Sequence, residues 1–160
     1  MYNAACAKLL HSAKGLFLSD IHLVLGIAVT GANLVAGAWG AAAWVRKEPS
    51  VAFWYLLRTA QAMVVAEVIV GLLLLARGDR AEDGLHVLYG IAPLVVTLVS
   101  EGMRVGAAQR ELEGVEDIEA LERSEQRAIA RRVVLREMGV MTVGALLIVT
   151  LALRALASGR

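Results

Sequence analysis

A single cysteine, two prolines and an aromatic content of 5% across 160 residues narrow what this chain can be. With Cys6 alone there is no intrachain disulfide and no thiol pair for redox chemistry, and Cys6 reads as a small apolar residue of the N-terminal stretch. No Pro/Ser-rich linker divides the chain, so a single domain covering 1–160 is expected. The motifs G-x-S-x-G, P-loop and H-E-x-x-H are all missing, which argues against hydrolase and nucleotide-driven functions. A formal net charge of +1 with no basic aromatic surface argues against nucleic acid as a partner.

What the chain has in abundance is apolar length. Hydrophobic residues make up 58% and the mean hydropathy is +0.64, more than a soluble domain of this size needs for one core. Stretches at 21–45, 51–76, 84–105 and 138–157 are each long enough to cross a bilayer, which takes about 20 apolar residues. Backbone groups in hydrocarbon must be satisfied internally, leaving helices or a closed barrel, and the run at 72–75 lacks barrel alternation. The expected fold is an all-α integral membrane protein with four transmembrane helices in an up-down bundle.

Residues 1–20 are too polar for a signal-peptide core and are read as mature protein, a short amphipathic helix in the membrane interface carrying Lys8, His11 and Lys14. Arginine and lysine are denser at the face opposite the N-terminus: Arg46, Lys47, Arg104, Arg110, Arg123, Arg127, Arg131, Arg132 and Arg136. That face is therefore expected to be cytoplasmic in a cell (plasma) membrane, with both termini outside and loops 46–50 and 107–137 inside. Trp44, Phe53, Trp54 and Tyr55 flank the 46–50 turn as an aromatic belt. The 107–137 segment, acidic in its first half and basic in its second, reads as one or two charged cytoplasmic helices, the basic half meeting anionic lipid.

Ala28, Ala32, Ala36 and Gly40 repeat every four residues on the first span, where another helix can approach closely. Ionisable residues inside a membrane need partners. Arg58 and Glu101 reach similar depths and are expected to pair, with Gln61 and Arg104 as further members. Glu67 lies about 15 Å in from the N-terminal face by helical rise, where Asn33 is the expected neighbour.

His22 opens the first span and His86 the third, so both sit near the N-terminal face. Adjacent axes about 10 Å apart place diagonal axes about 14 Å apart, a span that suits two imidazoles reaching inward to one iron. Gly26 and Gly90 follow four residues after each histidine, on the same helical face, where a flat macrocycle needs the backbone to recede. Arg77, Arg80 and Arg154 near that face are suited to haem propionates. Pro93 is a candidate kink in the third span.

The order of His22, then Gln61 and Gly71-Leu-Leu-Leu-Leu, then Leu85-His86-Val-Leu-Tyr-Gly90, then a fourth span without histidine resembles the four-helix haem-binding half-unit of the haem A synthase family. The resemblance covers roughly residues 20–157 and implies His22 and His86 as axial ligands. The chain departs from the family in having Leu23 after His22, no second four-helix half and no paired-cysteine loop, which argues against haem A synthesis itself. The expected function is a b-type haem bundle for electron transfer, haem handling or sensing, with membrane lipid as its surroundings and a homo-oligomer or larger membrane complex as its setting. A bis-histidine iron has no open position, so an enzyme is not expected. The alternatives are a cofactor-free structural or assembly subunit, and a small transporter or channel using Asn33, Arg58, Glu67 and Glu101.

Overall fold

The computed structural model describes residues 2–78, 84–115 and 117–158, with side chains from Phe17 onward. All of its regular structure is helical: α1 (Tyr2–Val45), α2 (Val51–Ala76), α3 (Gly84–Leu112) and α4 (Arg123–Ser158). Each contains a stretch long and apolar enough to cross a membrane, and at most 33% of any such stretch is buried inside the protein. The outward faces are themselves apolar, with Val24, Ile27, Tyr55, Leu88, Leu98 and Leu153 among the exposed side chains. A helix that is hydrophobic all round has lipid as its solvent.

The element boundaries differ from the hydropathy boundaries in three places. The stretch at 1–20, expected as a separate interfacial helix, is continuous with the first span from Tyr2 to Val45. The third span runs past 105 to Leu112, and the fourth begins at Arg123, well before 138. The charged 107–137 segment is therefore the end of α3, a non-helical link around 113–122 and the first turns of α4. Hydropathy marks where lipid is tolerated; helical hydrogen bonding continues into water as long as no cap stops it.

The stops are explicit. At the end of α1, Glu48 donates its backbone N–H to Ala43 O at 2.9 Å and Lys47 to Trp44 O at 3.0 Å. This is the paired bonding of a Schellman motif, with Lys47 in the left-handed region at φ 56 and Pro49 preventing continuation. Ser50 then caps α2, its Oγ accepting from Phe53 N at 3.3 Å and from Trp39 Nε1 at 3.0 Å. Replacing Ser50 with alanine is expected to cost about 1 kcal/mol of stability in detergent unfolding, and Ser50→Thr to restore most of it. Past the end of α3, Gly114 turns the chain at φ 85. Pro93 lies within α3 without ending it, and Thr97 Oγ1 donates to its carbonyl at 2.9 Å.

α4 is packed against both α1 and α3, α2 packs on α1, and α2 and α3 make the lightest of the four neighbouring contacts. This leaves α1 and α3 as one diagonal pair and α2 and α4 as the other. Two apolar clusters fill the centre. One joins Ala43, Phe53, Leu57, Met138, Met141 and Ala145; the other joins Val29, Val64, Ile148 and Ala152. Phe53, expected in an aromatic belt, is instead fully buried, whereas Trp44 and Tyr55 are exposed. Its ring fits because Gly40 on α1 has no side chain: a Cβ there would stand 2.5 Å from Phe53 Cε2. The four-residue repeat thus serves helix contact at Ala36 and Gly40, both buried.

Candidate functional site

Two groups of polar side chains lie inside the bundle, one toward each end. The group nearer the turn between α1 and α2 is built on Glu101 of α3. Its Oε1 accepts from Arg58 Nη1 and from Gln61 Nε2, the latter at 2.9 Å, and its Oε2 accepts from Arg104 Nε at 2.9 Å. Arg58 also donates to Gln61 Oε1 at 2.7 Å. Arg104 continues the chain to Glu137 Oε1 at 3.1 Å and its guanidinium stands 5.8 Å from the centre of the Trp54 ring. Two cations meet two anions, so the group carries no net charge into a medium that penalises one. The structure thus brings together Arg58, Gln61, Glu101 and Arg104, the members set by depth in the sequence, and adds Glu137. That residue falls one position short of the 138–157 hydropathy span, so hydropathy alone left it in the charged segment. Further along, Glu111 forms ion pairs with Arg136 Nε at 2.6 Å and Arg132 Nε at 3.4 Å, tying the end of α3 to the start of α4.

The second group holds the histidines. His22 of α1 and His86 of α3 come from diagonal helices, yet their ring centroids are 5.9 Å apart in an edge-to-face arrangement, with 76° between the planes. His86 Nδ1 lies 3.0 Å from Ala155 O of α4. His22 Nδ1 lies 3.2 Å from Glu67 Oε1 of α2, without the alignment of a hydrogen bond. All four helices therefore contribute an atom to this one cluster. Glu67 Oε2 is buried with no hydrogen-bond partner among the described residues.

Two sequence expectations are corrected here. Glu67 does not meet Asn33, which is fully buried and donates Nδ2 to Val29 O at 2.9 Å within its own helix. Nor does Gly26 leave a recess for a macrocycle: a Cβ there would stand 3.1 Å from Glu67 Oε1 and 3.3 Å from Leu156 Cδ2, so its missing side chain admits the carboxyl that faces His22. The glycine that lies against an imidazole is Gly71 of α2, where a Cβ would stand 3.1 Å from His22 Cε1. Gly90 faces open space, with nothing within 4 Å of a Cβ position. Arg77 and Arg154 are exposed. Arg80, and the side chains of Cys6 and His11, lie outside what the structure describes.

Between the two groups, along α1, α2 and α4, stands the apolar cluster of Val29, Val64, Ile148 and Ala152. It interrupts the polar track that a transporter reading would draw from Glu67 to Arg58 and Glu101. Among the described residues no set of three or more His, Cys, Asp or Glu side chains is arranged to hold a metal ion. The donor set at this site is two imidazoles, the pair that axial ligation of one haem iron requires. Their 5.9 Å edge-to-face separation lies within the range of direct aromatic contacts.

The fold and its outward faces define a multi-pass membrane protein. Compared with known proteins, the chain matches no family model, no curated protein and no solved structure.

Proposed function

We propose that this protein is a membrane electron-transfer or haem-handling bundle that holds one b-type haem between His22 and His86. The observation that carries the reading is the approach of these two imidazoles to 5.9 Å from helices that are not neighbours. Histidine is costly to bury in a membrane, so two that converge across a diagonal call for a partner or a role. Each ring also presents Nδ1 to an oxygen, Glu67 carboxyl in one case and Ala155 carbonyl in the other, the arrangement that leaves Nε2 for a metal. Bound there, the haem supplies one-electron chemistry; with both axial positions taken, it has none to offer a substrate.

In this reading the four helices cross the plasma membrane in up-down order, in keeping with the contacts of Gly26 with Glu67 and Leu156, and of Gly40 with Phe53 and Thr142. The arginine-rich end, with the link around 113–122, faces the cytoplasm, both termini lie outside, and the haem sits toward the outer face with Arg77 and Arg154 available to its propionates. A larger membrane complex or a second copy supplies the redox partner. The alternative, a cofactor-free structural subunit, is favoured by the direct contact of the two rings, since together with Glu67 they already form a closed polar cluster.

The test is an oxidised and dithionite-reduced absorption spectrum of detergent-purified protein expressed with ample haem. Wild type is expected to show a Soret band and sharp reduced α and β bands, both lost in His22→Ala and in His86→Ala. Folded wild-type protein that is colourless and takes up no added haem overturns the reading in favour of the structural subunit.

A further inference from the structure

We infer that Glu67 is a positioning residue: its carboxyl holds His22 as the Nδ1–H tautomer and sets the ring so that Nε2 is the metal-facing nitrogen. The step from tautomer to iron rests on the haem reading above, whereas the tautomer itself does not. Three observations converge on it. Glu67 Oε1 is 3.2 Å from His22 Nδ1. Gly26 and Gly71 flank the pair, and a methyl group at either would press on one of its members, at 3.1 Å from Glu67 Oε1 and from His22 Cε1. His22 Nδ1 and Glu67 Oε2 are both buried and lack an aligned partner among the described residues, so the nitrogen has no competing bond.

The two imidazoles are held in different ways. Ala155 O, a backbone carbonyl of α4, can only accept, and it fixes His86 irrespective of any side chain. His22 depends on a side chain for the same service, so its orientation is the one a substitution can release. Nδ1 and Oε1 are within reach of a hydrogen bond but not aligned for one, and functional hydrogen bonds are often poorly aligned before their ligand is bound. Carboxylates in this position fix the tautomer and strengthen the ligand, and their loss costs about 10–100-fold in metal affinity.

The experiment compares wild type, Glu67→Gln and Glu67→Leu as full-length proteins in detergent, each with its thermal unfolding midpoint recorded. Nitrogen-15 NMR of histidine-labelled apoprotein reads the tautomer of each ring, and haem titration of the same samples reads affinity. Expected are an Nδ1–H His22 in wild type, retention in Glu67→Gln, whose amide oxygen still accepts, and a shift toward Nε2–H in Glu67→Leu, with haem affinity lower by about tenfold or more and His86 unchanged. An Nε2–H His22 in wild type, or an unmoved tautomer in folded Glu67→Leu, overturns the inference. The expected tautomer shift in a protein that takes up no haem upholds the positioning role and removes the haem reading alone; normal haem uptake with no tautomer shift does the reverse.

Discussion

Glu101→Leu is expected to lower stability by about 3 kcal/mol, the low end of the penalty for removing one partner of a buried ion pair, because this network is only partly buried. Glu101 is the sole described acceptor of Arg104 Nε, and it receives Arg58 and Gln61 on its other oxygen. Its loss leaves two guanidiniums and an amide without that acceptor, in a bundle whose surroundings cannot solvate them. The asymmetry of the network sharpens the prediction. The Arg58 side chain is 51% exposed, against 27% for Glu101 and 26% for Arg104. Arg58→Leu, which removes a half-exposed donor and leaves Glu101 bound to Gln61 and Arg104, should therefore cost only about 1 kcal/mol. Unfolding in mixed detergent micelles, monitored by helical circular dichroism, measures both. Equal losses for the two variants would show that this carboxylate is not the centre of the network that joins α2 to α3.

Gly40→Ala is the second large effect, expected to cost about 3 kcal/mol through overpacking. The added methyl would stand 2.3 Å from Thr142 Oγ1 and 2.5 Å from Phe53 Cε2. Thr142 and Phe53 are 2% and 0% exposed, so neither has free space to retreat into. Gly31→Ala is the control on the same helix: nothing lies within 4 Å of its Cβ position, and alanine is the better helix former by up to about 1 kcal/mol. That variant should be neutral or slightly stabilising. A Gly40→Ala midpoint equal to that of Gly31→Ala would mean that α1, α2 and α4 do not meet at this glycine.

Much of this architecture was legible in the sequence because hydropathy and helical rise both measure distance along an axis. Four long apolar stretches with no strand alternation left helices, and equal depths put Arg58 beside Glu101 and His22 level with His86. What axial distance does not carry is azimuth. Asn33 and Glu67 looked like neighbours by depth, but the rotation of about 100° per residue decides which side chain faces which helix, and it turned Glu67 to His22. The same limit applies to Phe53: lying near a membrane boundary suggested a belt residue, yet its direction places it against Gly40 and among Leu57, Met138 and Met141. Helix ends were hidden for another reason. They are set by caps such as Ser50 and the bonds around Lys47, which leave no trace in an apolar average.

The arrangement of neighbours also bears on how the protein is made. α3 rests chiefly on α4 and hardly on α2, although α2 precedes it in the chain. During synthesis the first two helices can pair as soon as both have left the ribosome, while α3 has almost nothing to hold until the last segment emerges. Closure of the bundle, and with it the meeting of His22 and His86, therefore waits for the final 36-residue helix. A nascent chain arrested before α4 should be a stable hairpin with an unmoored third helix, the form most exposed to membrane quality control.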